Sequence, residues 1–187
     1  MNIILLGPPG CGKGTQGELL AERTGLARVS TGDLLRDAVG KGTSLGKKAK
    51  SYMDQGLLVP DDVIIDLLRG VLGSPAAERG VIMDGFPRTV AQAEAVDRLL
   101  AERQGKVDAV LLFEVPEEEL QKRILGRAKE AGRADDNLEA LQQRLVAYHE
   151  QTQPLVEFYR ARSVLIPIEA VGGIPEIAER VRTALGA

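Results

Sequence analysis

The chain has 187 residues and a formal net charge of −3 at pH 7, with 44% hydrophobic and 27% charged residues. That is the balance of one globular core large enough to need no metal or disulfide staple. The acidic balance, with 3% aromatics and no tryptophan, argues against a nucleic-acid binder; a single cysteine and a single histidine exclude an intrachain disulfide and leave neither a zinc cluster nor a serine triad.

Taken in chain order, the first element is the apolar run Ile3–Leu6, a buried strand that Gly7-Pro8-Pro9-Gly10 stops after four residues. It is too short for a signal peptide, and no run approaches the about 18 apolar residues of a membrane span, so a soluble cytoplasmic protein with no membrane partner is expected. A helix follows over Lys13–Thr24, then a weak strand at Arg28-Val29-Ser30. Residues 31–59 are helical and polar, interrupted by Gly40, Gly42, Gly46 and Gly56, with no strand inside. Then come a helix over Asp61–Leu72, a strand over 81–83, a helix over 89–103, a strand over 110–113 and a helix over 116–129. The charged segment 126–136 breaks the rhythm. A long helix over 137–162, capped by Asn137 and kinked at Pro154, a strand over 164–166 and a helix over 174–185 complete the chain. Continuously apolar strands alternating with amphipathic helices predict an α/β fold, a parallel sheet covered on both faces. Segments 31–59 and 126–136 read as excursions from that core.

Two motifs carry chemistry. Gly7-Pro8-Pro9-Gly10-Cys11-Gly12-Lys13-Gly14-Thr15 sits between a strand and a helix, the context of a phosphate-cradling loop. Its glycines let successive backbone N–H groups face an anion, the helix N-terminus adds partial positive charge, and Lys13 adds a full one. Gly14 stands where such loops usually carry the Mg²⁺-binding Ser or Thr, so Thr15 is read as a phosphate contact. At the end of the strand over 81–83, Asp84 suits the carboxylate that holds Mg²⁺, here through water. No acid follows it to activate water and no Asn-Lys-x-Asp motif is present, which argues against a GTPase switch or a motor ATPase.

The phosphate loop with Gln16, then Ser30-Thr31-Gly32-Asp33-Leu34-Leu35-Arg36, then Asp84-Gly85-Phe86-Pro87-Arg88-Thr89 with Gln92, then Gly132-Arg133-Ala134-Asp135-Asp136 with Arg144 occur in one order through most of the chain. This set resembles the adenylate kinases. The resemblance implies a P-loop core with a five-stranded parallel sheet (1–29, 60–125 and 137–187), a helical nucleoside-monophosphate-binding insert (30–59) and a short lid (126–136) of the form that lacks zinc. It implies reversible transfer between ATP and AMP giving two ADP, with Mg²⁺ as the only metal. ATP contacts would come from Gly10, Cys11, Gly12, Lys13, Gly14, Thr15, Arg123, Arg127 and Gly172. AMP contacts would come from Thr31, Arg36, Leu57, Leu58, Val59, Gly85, Phe86, Pro87, Arg88, Gln92, Arg133 and Arg144. Lys13, Arg88, Arg127, Arg133 and Arg144 would form the catalytic cage.

The attacking AMP phosphate is already ionised near neutrality, so no general base is needed, and His149 is read as structural. Asp135 and Asp136 either orient Arg133 or cap the next helix. Thr31 and Gln92 favour AMP over the UMP and CMP of related kinases. The alternatives are such a pyrimidine-nucleotide kinase or a non-catalytic nucleotide-binding assembly factor, which would be expected to lose part of the arginine cage. A monomer is expected, because two inserts need freedom to close.

Overall fold

The computed structural model describes residues 1–130 and 138–186, without the side chains of Leu125, residues 127–130 and Leu138. Five strands, β1 (Ile3–Leu6), β2 (Ala27–Ser30), β3 (Val81–Asp84), β4 (Ala109–Glu114) and β5 (Leu165–Glu169), form one sheet in the order β2-β3-β1-β4-β5. All four pairings are parallel. The helices are α1 (Lys13–Thr24), α2 (Thr31–Gly40), α3 (Ser44–Asp54), α4 (Asp61–Leu72), α5 (Val90–Ala101), α6 (Glu117–Glu130), α7 (Leu138–Ala147), α8 (Pro154–Arg160) and α9 (Ile174–Ala184).

Both faces of the sheet are buried, because a two-residue side-chain period on an all-apolar strand feeds two cores at once. Ile4 and Leu6 of β1 join Val110 and Leu112 of β4 on one face, under Leu68 of α4, Val96 of α5 and Leu155 of α8. Ile3, Leu5, Leu111 and Phe113 point the other way, against Leu20 of α1, Leu120 of α6 and Ile177 of α9. This is the fold that the strand–helix alternation predicts.

Side-chain caps fix several helix starts. Ser30 accepts from the Asp33 N–H at 3.2 Å, Thr43 from Gly46 at 3.0 Å and Thr89 from Gln92 at 3.1 Å. Between β2 and β3 the chain leaves the sheet as α2 and α3, which pack on each other. A Cβ on Gly46 would lie 2.1 Å from the Ala38 carbonyl oxygen, so this crossing depends on glycine's missing side chain.

The helix expected over 137–162 is divided differently. Asn137 lies outside the described residues. The break comes before Pro154, in a π-helical turn over Tyr148–Thr152, and Pro154 opens α8. Proline has no N–H to donate and crowds the preceding turn, so the widened turn absorbs the misfit upstream of the ring. In the segment 126–136, the helix α6 continues to Glu130 and the rest lies outside the described residues. Among the described residues no helix is long and apolar enough to cross a membrane.

Candidate active site

The carboxyl ends of β1, β2 and β3 lie side by side, with Leu5 and Ser30 both in register with Asp84. In parallel sheets ligands bind outside these ends. A cleft of about 1030 Å³ opens there, at the upper end of the usual size of ligand pockets.

One wall is the loop after β1. Gly12 caps α1 with φ +98°, a conformation that L side chains rarely adopt, and so turns the loop into the helix. Lys13 folds over the loop, its Nζ donating to the carbonyls of Gly7 at 2.7 Å and Pro8 at 2.9 Å. Gly10, Gly12, Lys13, Gly14 and Thr15 all line the cleft. Cys11 does not: it is 1% exposed, its Sγ packed beneath the loop and 3.4 Å from Lys13 Nζ. Gly172 and Arg123 border the same end, and Arg123 Nε donates to Glu119 at 2.9 Å.

The facing wall comes from α2, the stretch after α3 and the loop after β3. The Gly85 carbonyl accepts from Thr31 Oγ1 at 2.9 Å and from Arg88 Nε at 2.8 Å, tying α2 to the arginine. Arg36 is held by Asp33 at 2.6 Å. Leu57, Leu58, Val59, Gly85, Pro87, Gln92 and Arg144 line this wall, joined by Leu35, Met53 and Ile64, which make part of it apolar. Phe86 turns away, 1% exposed in the core among Leu68, Met83 and Val96. His149 sits off the cleft, its Nδ1 3.0 Å from Gln153. The side chain of Arg127 and all of Arg133, Asp135 and Asp136 lie outside the described residues.

Between the walls stands a charge network that the motifs do not announce. Arg28 donates to Asp84 Oδ2 at 2.6 Å, to Asp33 at 3.3 Å and to Glu18 at 3.5 Å. Burial works against the Arg28 charge, yet the Asp84 bond and the three carboxylates outweigh it and raise its pKa. Burial likewise opposes the Asp33 charge, but hydrogen bonds from Arg36 and Ser30 leave its pKa lowered. Arg88 goes the other way. Burial first, then repulsion from Arg144 and Arg36, pull its pKa down, with Asp84 offsetting only part. Cations crowded about a recess with too little negative charge form a receptor for a polyanion.

The family model described as adenylate kinase matches residues 5–164. The chain belongs to the adenylate kinase family. An adenylate kinase of Thermus thermophilus is 53% identical over 184 residues, which cover 98% of this chain and 96% of the relative. One of Thermobifida fusca is 49% identical across 99% and 98% of the two chains, and one of Stenotrophomonas maltophilia is 49% identical across the full length of both. The protein is an enzyme that transfers a phosphoryl group between ATP and AMP.

Sequence reasoning passed over Arg28, Met53, Ile64 and Tyr148, which all line the cleft of this adenylate kinase. For Arg28 a signal existed: a cation between Ala27 and Val29 on a strand is costly unless acids receive it. The apolar liners carried none, since their pattern is that of any helix face.

Proposed function

We propose that the cleft holds both nucleotides at once, ATP phosphates on the loop after β1 and AMP between α2, the stretch 57–59 and Arg88. The observation that carries this reading is the cluster of Lys13, Arg36, Arg88 and Arg144 around one cleft, with Arg88 destabilised as a cation by two of the others. A phosphate chain relieves that repulsion, and most where charge builds up in the transferring group.

In this reading Lys13 and the loop N–H groups bind the donor phosphates, Arg36 and Arg88 grip the AMP phosphate, and Arg144 faces the group in transit. Planar guanidinium forks match phosphate oxygens and hold the two reactants in line. Thr31, the backbone of 57–59 and Gln92 surround the AMP base. Arg123 and Gly172 border the ATP base. Arg127 and Arg133 join the cage by the family resemblance alone, as does the division into a core, an insert over 30–59 and a short lid over 126–136. Cys11, Gly85, Phe86 and Pro87 contribute through backbone or shape.

The residues fit a hydrated Mg²⁺. Arg28 occupies Asp84 Oδ2, and Oδ1 accepts no hydrogen bond among the described residues, so one oxygen of an anchored carboxylate is available to metal-bound water. Held beside Asp84 through water, Mg²⁺ would supply positive charge that offsets the charge developing on the donor phosphates.

Two adenosines joined through about five phosphates test the two-site arrangement. Once one end docks, the other binds at an effective concentration in about the mM range, so affinity should exceed that for ATP by about 10²-fold or more. Calorimetric titration reads this directly. Binding no tighter than ATP would mean that the two anion sites do not face one another.

A further inference from the structure

We infer that Asp61 is a positioning residue for base selection: its carboxylate fixes the polarity of the Gln92 amide and thereby favours adenine over a 6-oxopurine at the acceptor nucleotide. This rests on the placing of the AMP base beside Gln92.

The two ends of a carboxamide are nearly equal in shape, so its partners decide which way it lies. Gln92, 2% exposed, has two fixed partners. Its Nε2 donates to Asp61 Oδ1 at 2.6 Å, and its Oε1 accepts from the Arg88 backbone N–H at 2.7 Å. A carboxylate can only accept and a backbone N–H can only donate. The reverse orientation would set donor against donor and acceptor against acceptor in a place where water cannot relieve the misfit. Asp61 is itself held, since its Oδ2 accepts from Thr89 Oγ1 at 3.0 Å. Thr89 in turn accepts from the Gln92 N–H at 3.1 Å, closing a ring between the starts of α4 and α5. An acid in the first turn of α4 is favoured by the helix dipole alone, but that role needs no partner. Here side chains 28 and 31 residues away occupy both carboxylate oxygens.

After these bonds the Gln92 amide keeps one lone pair and one hydrogen, an acceptor beside a donor in fixed order. Adenine offers an amino donor beside a ring-nitrogen acceptor. Hypoxanthine offers a carbonyl acceptor beside an N–H donor, the opposite order. With the phosphate pinned by arginines, the base cannot turn over to compensate.

The test uses the whole enzyme with ATP as donor and AMP or IMP as acceptor. It compares wild type, Asp61→Ala, Asp61→Asn, Gln92→Ala and the Asp61→Ala/Gln92→Ala pair. The wild type should prefer AMP. Asp61→Ala should lower the AMP-to-IMP ratio of kcat/KM about tenfold through KM for AMP, the worth of one buried hydrogen bond, with KM for ATP within about twofold. Asp61→Asn keeps the shape but can donate as well as accept, so its ratio should fall by about threefold; it decides the matter if Asp61→Ala does not fold. In the Gln92→Ala background, Asp61→Ala should change the ratio no further. An unchanged ratio in both Asp61 variants, with collapse in Gln92→Ala, overturns the inference and leaves the base placement standing. An unchanged ratio in Gln92→Ala overturns the base placement and the inference with it, as does a wild type that does not distinguish the two acceptors.

Discussion

Lys13 lies on the loop it belongs to, its ammonium satisfied by two loop carbonyls. Losing those partly exposed bonds costs about 1–2 kcal/mol of stability. In the proposed reading Lys13 also meets charge that grows in transfer, and losing one such cation costs about 10²–10³ in rate. Lys13→Met should therefore fold, melt slightly lower and turn over at least about a hundredfold more slowly; steady-state rates beside a melting curve separate the two effects. Tyr148, at the cleft edge, makes a prediction in alkali. Burial first, then the electrostatic influence of Cys11 and Glu114, pushes its hydroxyl up to about 12. Above about pH 10 the unfolded chain releases that proton while the folded protein retains it. Stability then falls as pH rises from there to the native value. Tyr148→Phe should lessen that decline in urea melts at pH 9 to 11.5, the buried Tyr159, whose pKa is also raised, keeping a part of it. At this scale the sequence was legible where chemistry is local: the phosphate loop and Asp84 are contiguous motifs. Arg28 was legible only as a strand cation in need of acids, and Asp61 not at all, because Asp84 for the one and Thr89 and Gln92 for the other are delivered far along the chain.

Among the elements, the α2–α3 crossing sets helix propensity against packing. Replacing a helical glycine by alanine ordinarily gains up to about 1 kcal/mol. At Gly46 the new methyl would meet the Ala38 backbone at 2.1 Å, a contact no rotamer can relieve. Overpacking of this kind costs about 1–3 kcal/mol, so Gly46→Ala should destabilise on balance. If α2 and α3 shape the AMP side of the cleft, KM for AMP should rise while KM for ATP stays put; calorimetry and initial rates decide both points. The strands and most helix limits were readable because their apolar spacing is set by the backbone period alone. The π-helical turn over Tyr148–Thr152 was not. Proline announces a disturbance, but where the helix yields depends on what packs around it.

For the molecule as a whole, the Mg²⁺ proposed for turnover and the fold should be separable. The chain has one cysteine and one histidine, so the usual nitrogen and sulfur donors of a closed zinc site are lacking. EDTA should stop turnover, added Mg²⁺ should restore it, and the melting temperature of the nucleotide-free enzyme should not move. Elemental zinc at one per chain would contradict this. The sheet order bears on how the molecule comes into being. β1 lies at its centre, flanked by β3 and β4, whose residues follow about eighty and about a hundred positions later in the chain. During synthesis β1 therefore waits for the fourth strand before both of its edges are paired. Until β4 leaves the ribosome, at least one apolar ladder of Ile3–Leu6 stays open to any other nascent strand. The hazard of misassembly is concentrated in the early life of each polypeptide, on the same four residues that later anchor both cores.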